Sequence, residues 1–541
     1  MNIFYRILIV AVMAGLFAGC AVGPEPIAPD PEAPGAWRAT APGQKGAVAP
    51  EDEWWRAFDD HALNELVEDT MRGSLELGAA RARVAEARAL RRAAGAALLP
   101  QLGTSAVGQR SGLSETGGST GSAFAEFGVL DDPVEFYQAS FDASWELDVF
   151  GSNRRREQAA TARWLSAHAR LGAERLRLIA EVARAYLELR GAQRRRDVLG
   201  DIVVERRRLV ELTRSRTRAG LAPVAEIRGP ERALADARAG FERLEAAIAV
   251  RIHRLSVLTG RLPASLYERL DEPSPLPAIP PAVDGGIPAD VIERRPDLIA
   301  AEQRLRAAAA DVGVAVARLY PTVALFGQTG RESDTAADLL DSASEIWTLG
   351  LSLSWPIFEG GRLRADVAAA EARLEQARFE FRDAALRAFE DVESQFVIHV
   401  ADRRREGHRR TAARAAADAS DSVDARRQSG LTDLRALVAA RLDALAAEQA
   451  RIAAHTDALI SFVALYKALG GGWRTGEGSA DGANEGLGQT SARSAAARAW
   501  ISAVSNSGTV TSSAETSRPI SVQPRITPSA PRSARSSMTR T

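Results

Sequence analysis

Two stretches of the chain switch between apolar and polar side chains residue by residue. In the first, Tyr137, Ala139, Phe141, Ala143, Trp145, Leu147 and Val149 alternate with Gln138, Ser140, Asp142, Ser144, Glu146 and Asp148. In the second, Trp347, Leu349, Leu351, Leu353, Trp355 and Ile357 alternate with Thr348, Gly350, Ser352 and Ser354. A period of two sustained this long predicts a β-strand with one apolar face. A strand that crosses a bilayer takes ~9–11 residues, with apolar side chains toward lipid and polar ones toward a lumen. Both stretches are long enough, although a strand half-buried in a soluble sandwich gives the same pattern. Tyr137 and the tryptophans suit the interfaces of a membrane, where amphipathic rings belong. Partner strands are expected near 102–109 and 322–329, where the alternation is less clean.

The pattern then changes period. Between Ser152 and Arg218 there is no proline, and Leu171, Leu178, Val182, Tyr186 and Leu189 step at three, four or seven residues. Phe381, Ala385, Phe389, Val392 and Phe396 step likewise further on, and Leu434, Val438, Leu442 and Leu445 mark a return helix. This is the narrow apolar seam of a coiled coil rather than the wide stripe of a globular helix. A continuous helix over 152–218 would be about 100 Å long.

The chain also repeats itself. Leu77, Ala79–Ala80, Arg83 and Pro100 correspond to Leu298, Ala300–Ala301, Arg304 and Pro321 at an offset of 221. Ser144–Trp145 and Gly151 correspond to Ser354–Trp355 and Gly361 at 210, as do Gly220–Leu221 with Gly430–Leu431 and Gly260 with Gly470. The first copy therefore holds 11 extra residues between Pro100 and Trp145, in an interval that contains the Gly- and Ser-rich run 112–121. A lengthened surface loop is expected there. Each copy reads helix, strand, loop, strand, long helix, turn, helix. The expected organisation is a signal peptide over 1–19 and an anchored, extended segment over 20–58. A first repeat over 59–262, a Pro-rich linker over 263–289 and a second repeat over 290–473 follow. Residues 474–541, rich in Gly, Ser, Thr and Ala, are expected to be disordered.

Composition narrows the function. Of 541 residues, 69 are Lys or Arg and 70 Asp or Glu, a balance that argues against nucleic-acid binding. A single cysteine, Cys20, excludes a disulfide or thiolate cluster within one chain. It follows Arg6, an apolar run from Ile7 to Phe17, and Ala18–Gly19, the layout of a secretory signal. Small residues before a cysteine resemble the bacterial lipobox, which would make Cys20 the acylated N-terminus. Ala21 after it suits delivery to the outer membrane, whereas Phe17 stands where the lipobox usually has Leu. No other apolar run approaches the ~20 residues of a membrane helix, so any crossing must be made by strands.

No catalytic constellation is present. His61, His168, His253, His399, His408 and His455 are scattered without metal-ligand spacing, and Gly117–Ser122 lacks the Gly-Lys-Ser/Thr of a phosphate loop. An enzyme, a cofactor and a metal site are not expected. Gly220–Leu221 and Gly430–Leu431 stand where each long helix must reverse, a place for glycine, and a leucine exposed there invites a partner.

At this point the residues resemble a known family, the TolC-like outer-membrane factors, in the lipoprotein branch that serves resistance-nodulation-division pumps. The resemblance rests on Cys20–Ala21–Val22–Gly23–Pro24, Trp54–Trp55 with Phe58–Asp59, and Ala79 to Pro100. Further matches are Ser144 to Gly151, Arg294–Arg295–Pro296–Asp297–Leu298, Trp355–Pro356–Ile357–Phe358 and Gly360–Gly361–Arg362. It implies a mainly α fold with transmembrane β: a trimeric twelve-stranded β-barrel, four strands per protomer, continued by a long α-helical periplasmic barrel. It implies a homotrimer in outer-membrane lipid, lipid-anchored and extending into the periplasm, with a periplasmic adaptor and an inner-membrane pump as partners. The function implied is passive efflux of small molecules. A duct for secreted polypeptides is the alternative within the class, and a non-channel coiled-coil lipoprotein the alternative outside it. By the same resemblance Gly220, Leu221, Gly430 and Leu431 are the adaptor-docking tips. The family's tip glycines are commonly followed by gate acids at six and nine positions. Glu226 fits the first of these, but Ala436 and Ala439 occupy both in the second copy, where Asp433 is the nearby acid.

Overall fold

The computed structural model describes residues 22–24, 37–38, 53–112, 133–281 and 288–473. These belong to the first of two contact-defined units, Met1–Thr475; the second, Gly476–Thr541, lies outside the described residues, as do the expected signal peptide and Cys20. Along the chain come α1 (His61–Gly73), α2 (Leu75–Ala96), β1 (Gln101–Ser111), β2 (Val134–Leu147), α3 (Ser152–Arg218) and α4 (Arg228–Leu258). The second repeat supplies α5 (Pro296–Ala317), β3 (Thr322–Ser333), β4 (Glu345–Ser354), α6 (Arg362–Gln428) and α7 (Leu434–Ala468).

The four strands form one antiparallel sheet in the order β1-β2-β3-β4. Helix α2 packs on α3, α3 on α5 and α5 on α6. Because α2 leads into β1, β2 into α3, α5 into β3 and β4 into α6, the helices stand in the same order as the strands they continue. The hairpins α3–α4 and α6–α7 extend this row, and α7 packs back on α3. Both long helices run unbroken for 67 residues, as the absence of proline predicts. The seam residues of α3 are buried throughout, and those of α6, from Ala385 to Phe396, meet them in one core with Trp54, Phe58, Leu63 and Phe462.

The difference of 11 between the two repeat offsets lies in the strand connections, which run over 112–133 in the first copy and 334–344 in the second. Residues 113–132 of the longer one are outside the described residues. Both alternating strands end sooner than their pattern suggests. β2 stops at Leu147 rather than Val149 because the Asp148 carboxylate turns to cap α3, accepting the Asn153 and Arg154 N–H groups at 2.8 Å each. β4 stops at Ser354 rather than Ile357, since Pro356 has no N–H for the ladder. Trp145 and Trp355, expected at membrane interfaces, have a second duty. Their indole N–H groups donate to Leu98 O and Leu319 O, both at 3.0 Å, tying each strand end to the helix end that precedes the neighbouring strand.

His399 is buried between α6 and α7, its Nδ1 3.0 Å from Ser461 Oγ. Burial, with Arg403 adding to it, pushes the imidazole down to about 4. Below its ordinary range near 6.5 the unfolded chain takes up a proton that the folded chain refuses until about 4, so stability falls with pH across that interval and is untouched above it. Replacing His399 by Leu should therefore reduce the stability lost between pH 7 and pH 4.5 by roughly 2 kcal/mol, read from helical melts of both proteins. An equal acid loss in the two would assign the lability elsewhere.

Candidate functional site

The ladder register sorts the sheet into two faces. One row runs Leu102, Ala143, Gly327, Leu349 and the next Thr104, Phe141, Thr329, Trp347. On the opposite face run Gly103, Asp142, Gln328, Thr348. The apolar face is bare: Leu102, Phe141, Trp347, Leu349, Leu351 and Leu353 are all exposed, Trp347 by 75%. The polar face is knitted together. Ser105 Oγ donates to Asp142 Oδ2 at 2.9 Å and lies 2.9 Å from Ser140 Oγ, which accepts from Gln328 Nε2 at 3.0 Å. Among the described residues β1 pairs only with β2, and β4 only with β3, so both are open edges. The helices that continue these edges, α2 and α6, also end the helical row. They carry exposed Leu75 and Leu90, and exposed Phe379, Leu386 and Val397.

At the far ends of the hairpins the two copies build the same turn. The Gly220 N–H donates to Thr217 O and the Leu221 N–H to Arg216 O, at 3.0 and 2.8 Å; Gly430 and Leu431 donate to Arg427 O and Arg426 O at 2.9 and 2.8 Å. These are Schellman closures, and the glycines adopt the left-handed φ (69° and 73°) that such closures require. Leu221 and Leu431 stand out in solvent, 68% and 69% exposed. Glu226 is exposed in the short 3-10 turn Val224–Ile227. Asp433 caps α7, its Oδ1 accepting the Ala436 N–H at 2.8 Å.

One group of charges near the tips is missed by reading the sequence. Arg441 of α7 reaches Glu205 of α3 at 3.4 Å and Asp424 of α6 at 3.5 Å, so a single guanidinium joins the two hairpins. Glu205 precedes Arg441 by 236 residues, and no local spacing signals the pair. Among the described residues no group of three His, Cys, Asp or Glu could hold a metal, and no helix is long and apolar enough to cross a membrane.

A sheet apolar on one side and polar on the other, continued by a wall of very long helices, defines a protein that lines a passage through a membrane. The outer membrane efflux protein family matches residues 66–261 and 287–471, the two repeats in turn. The pyoverdine export outer membrane protein OpmQ of Pseudomonas aeruginosa is 30% identical over 85% of this chain and 95% of its own. Outer membrane protein OprJ of the same organism is 30% identical over 87% and 96%. The solved structure of the outer-membrane channel OprN superimposes with a TM-score of 0.76 at 32% identity, over 84% of this chain and 100% of that one. The chain belongs to the outer membrane efflux protein family.

Alternate spin labels test the two faces directly. In bilayers, labels at Phe141, Ala143 and Trp145 should be quenched by dissolved oxygen, and labels at Asp142 and Ser144 by an aqueous nickel chelate. Equal quenching of both sets by the chelate would remove the lumen from this account.

Proposed function

We infer that three copies of this chain close a twelve-stranded barrel and a helical tunnel through which small molecules pass passively from the periplasm to the exterior. One observation carries the reading: the two-faced sheet has two open edges, each continued by an edge helix with bare apolar side chains. Backbone N–H and C=O groups left open in hydrocarbon cost several kcal/mol apiece, so a sheet of four strands cannot stay in a membrane alone. Pairing β4 of one copy with β1 of the next closes the ring and in the same step brings α6 of one beside α2 of the next, with Leu386 near the level of Leu75, so that the bare apolar side chains of both edge helices leave water. Each large apolar side chain moved from water into lipid or into that seam contributes ~1.5–3 kcal/mol.

The rest of the complex follows from what a passive duct lacks. Energy comes from an inner-membrane pump, and a periplasmic adaptor docks on the tips at Gly220–Leu221 and Gly430–Leu431. Glu226 and Asp433 stand at the aperture between them. Cys20, acylated after signal cleavage, ties the protomer to the outer membrane. The pyoverdine export named for OpmQ favours small molecules over polypeptides as cargo. A non-channel coiled-coil lipoprotein would have no use for the paired strands.

Purified protein in planar bilayers should give discrete single-channel conductance, and a folded preparation that never conducts would end the reading. Because Ala436 and Ala439 replace the second copy's gate acids, divalent cations should block only weakly, needing millimolar concentrations; micromolar block would show an acidic ring elsewhere. Replacing Leu221 and Leu431 together by Ser should leave conductance unchanged and cut efflux in cells at least tenfold. Full efflux by that variant would move the docking site away from the tips.

A further inference from the structure

The polar face of the sheet carries an aromatic side chain well inside its rim. Phe326 stands on β3 in the row of Gln101, Ser144 and Gly350, on the face that turns away from the bare leucines. Its ring is 41% exposed there. The residue paired with it on β4 is Gly350, and a Cβ at that position would run into the tip of the ring, with Cε1 and Cε2 at 2.9 and 3.0 Å. The ring therefore lies over the β4 backbone, in the space that a side chain on Gly350 would take, and leaves its other face open to water. Covering a strand glycine in this way steadies a sheet, but it does not call for the charges that surround the ring.

Those charges are all acidic. Phe326 faces Ser144 across the ladder, which makes Asp142 and Glu146 its diagonal neighbours on β2, each about 7–8 Å away. Among the described residues Asp142 is held by hydroxyls, Ser105 Oγ at 2.9 Å and Ser140 Oγ at 3.3 Å, with no cation beside it. Glu146 is exposed and has neither ion pair nor hydrogen bond among the described residues. The register puts Asp142, Glu146 and Glu332 on the polar face, whereas Arg110 and Arg331, the basic residues of the four strands, fall on the apolar one. The two copies do not share this grouping. Ser105, Ser140, Ser352 and Pro356 stand where Phe326, Gly350, Asp142 and Glu146 have their counterparts. It occurs once per protomer and is not a requirement of strand pairing.

We propose that Phe326, Asp142 and Glu146 form a contact station for amphiphilic organic cations on their way through the barrel. The station rests on the ring of three copies inferred above, because only there does the polar face line a lumen. An aromatic face attracts an organic cation that comes within about 6 Å of the ring centroid. The apolar body of such a molecule covers the open face of the Phe326 ring, and its charge lies toward the carboxylates on either side. Phe326 is four residues beyond Thr322, about 13 Å into the barrel from the helices, with Glu146 on the helix side of it and Asp142 on the outer side. A cation that leaves the helical tunnel meets Glu146, then the ring, then Asp142. An open site of this kind holds its cargo weakly, and weak successive contacts are what a conducting passage needs.

Photolabelling tests the station without depending on conduction. The probe is an aryl azide that bears a trimethylammonium group, applied to the purified full chain in lipid nanodiscs and compared with its uncharged tert-butyl isostere. Labelled residues are read by mass spectrometry. The cation should label residues 142–146 and 324–328 at least fivefold more than the isostere does. Phe326→Leu keeps an apolar cover on Gly350 but has no aromatic face, and it should cut that labelling at least fivefold while the protein stays trimeric. Asp142→Asn combined with Glu146→Gln should cut it as much from another strand, so the test survives if Phe326→Leu fails to fold. Equal labelling by cation and isostere would overturn the station, as would labelling unchanged by either the Phe326→Leu or the paired carboxylate variant. A protein that conducts in planar bilayers yet takes no label here would lose the station and keep the duct. Label at Phe326 in a protein that never conducts would end the duct and leave a cation site on the sheet.

Discussion

Backbone hydrogen bonding in a medium without water sets the terms for the whole molecule. A strand in hydrocarbon must give every N–H and C=O a partner in another strand, and a sheet satisfies this only when it has no edges. The chain supplies four strands with a bare apolar face, a hydrogen-bonded polar face and two open edges at β1 and β4. Neither feature makes sense in a separate soluble protomer. The apolar face would be an aggregation hazard in water, and the edges would template further pairing. Both faults disappear together if copies join edge to edge within a membrane, which is why the assembly we infer follows from the protomer's own deficiencies.

The helices carry the same logic out of the membrane. Each strand runs into or out of a long helix, so the order β1-β2-β3-β4 is handed down as α2-α3-α5-α6. Strand spacing is near 4.8 Å and helix spacing 8–10 Å, so a helix under every strand would not fit beneath an untilted sheet of the same width. The junctions are correspondingly specialised. Trp145 and Trp355 lock strand ends to the ends of neighbouring helices, and Asp148 ends β2 in the act of starting α3. Leu305, Ala309, Val312 and Ala315 of α5 meet Ala370 and Leu374 of α6 in a seam separate from the main core.

Much of this was legible in the sequence, because periodicity is a local property and repeats advertise themselves. The bounds of α3, the alternation of β2 and β4, the reversals at Gly220 and Gly430 and the 11-residue difference between the copies can all be read from spacing alone. Strand ends were less legible. Nothing in the alternation reveals that Asp148 would rather cap a helix than continue a ladder. Contacts between distant segments could not be read at all: Glu205 with Arg441, or Arg155 with Gly23, have no spacing to betray them. Asp433 shows the converse limit, since nothing in its spacing from the tip glycine tells that its carboxylate holds the Ala436 N–H.

Internal repetition gives a way past that last limit. Where both copies keep a residue, as with the tip glycines and the two strand-end tryptophans, its role is one that every wall unit needs: a turn, a junction, a seam. Where the copies differ, the position answers to something that occurs once per protomer. The Val22–Gly23 segment occurs once, and Arg155 and Gly313, with Ala365 and Arg92 as their counterparts, are what contact it: Arg155 donates to the Val22 and Gly23 carbonyls at 3.2 Å each. The same reasoning applies to the tips. Glu226 has Ala436 as its counterpart, so the first hairpin presents an acid where the second presents a methyl group. In a threefold assembly that difference sets three tips that carry Glu226 and three that carry Ala436 in alternation, with Asp433 the nearby acid of the second kind.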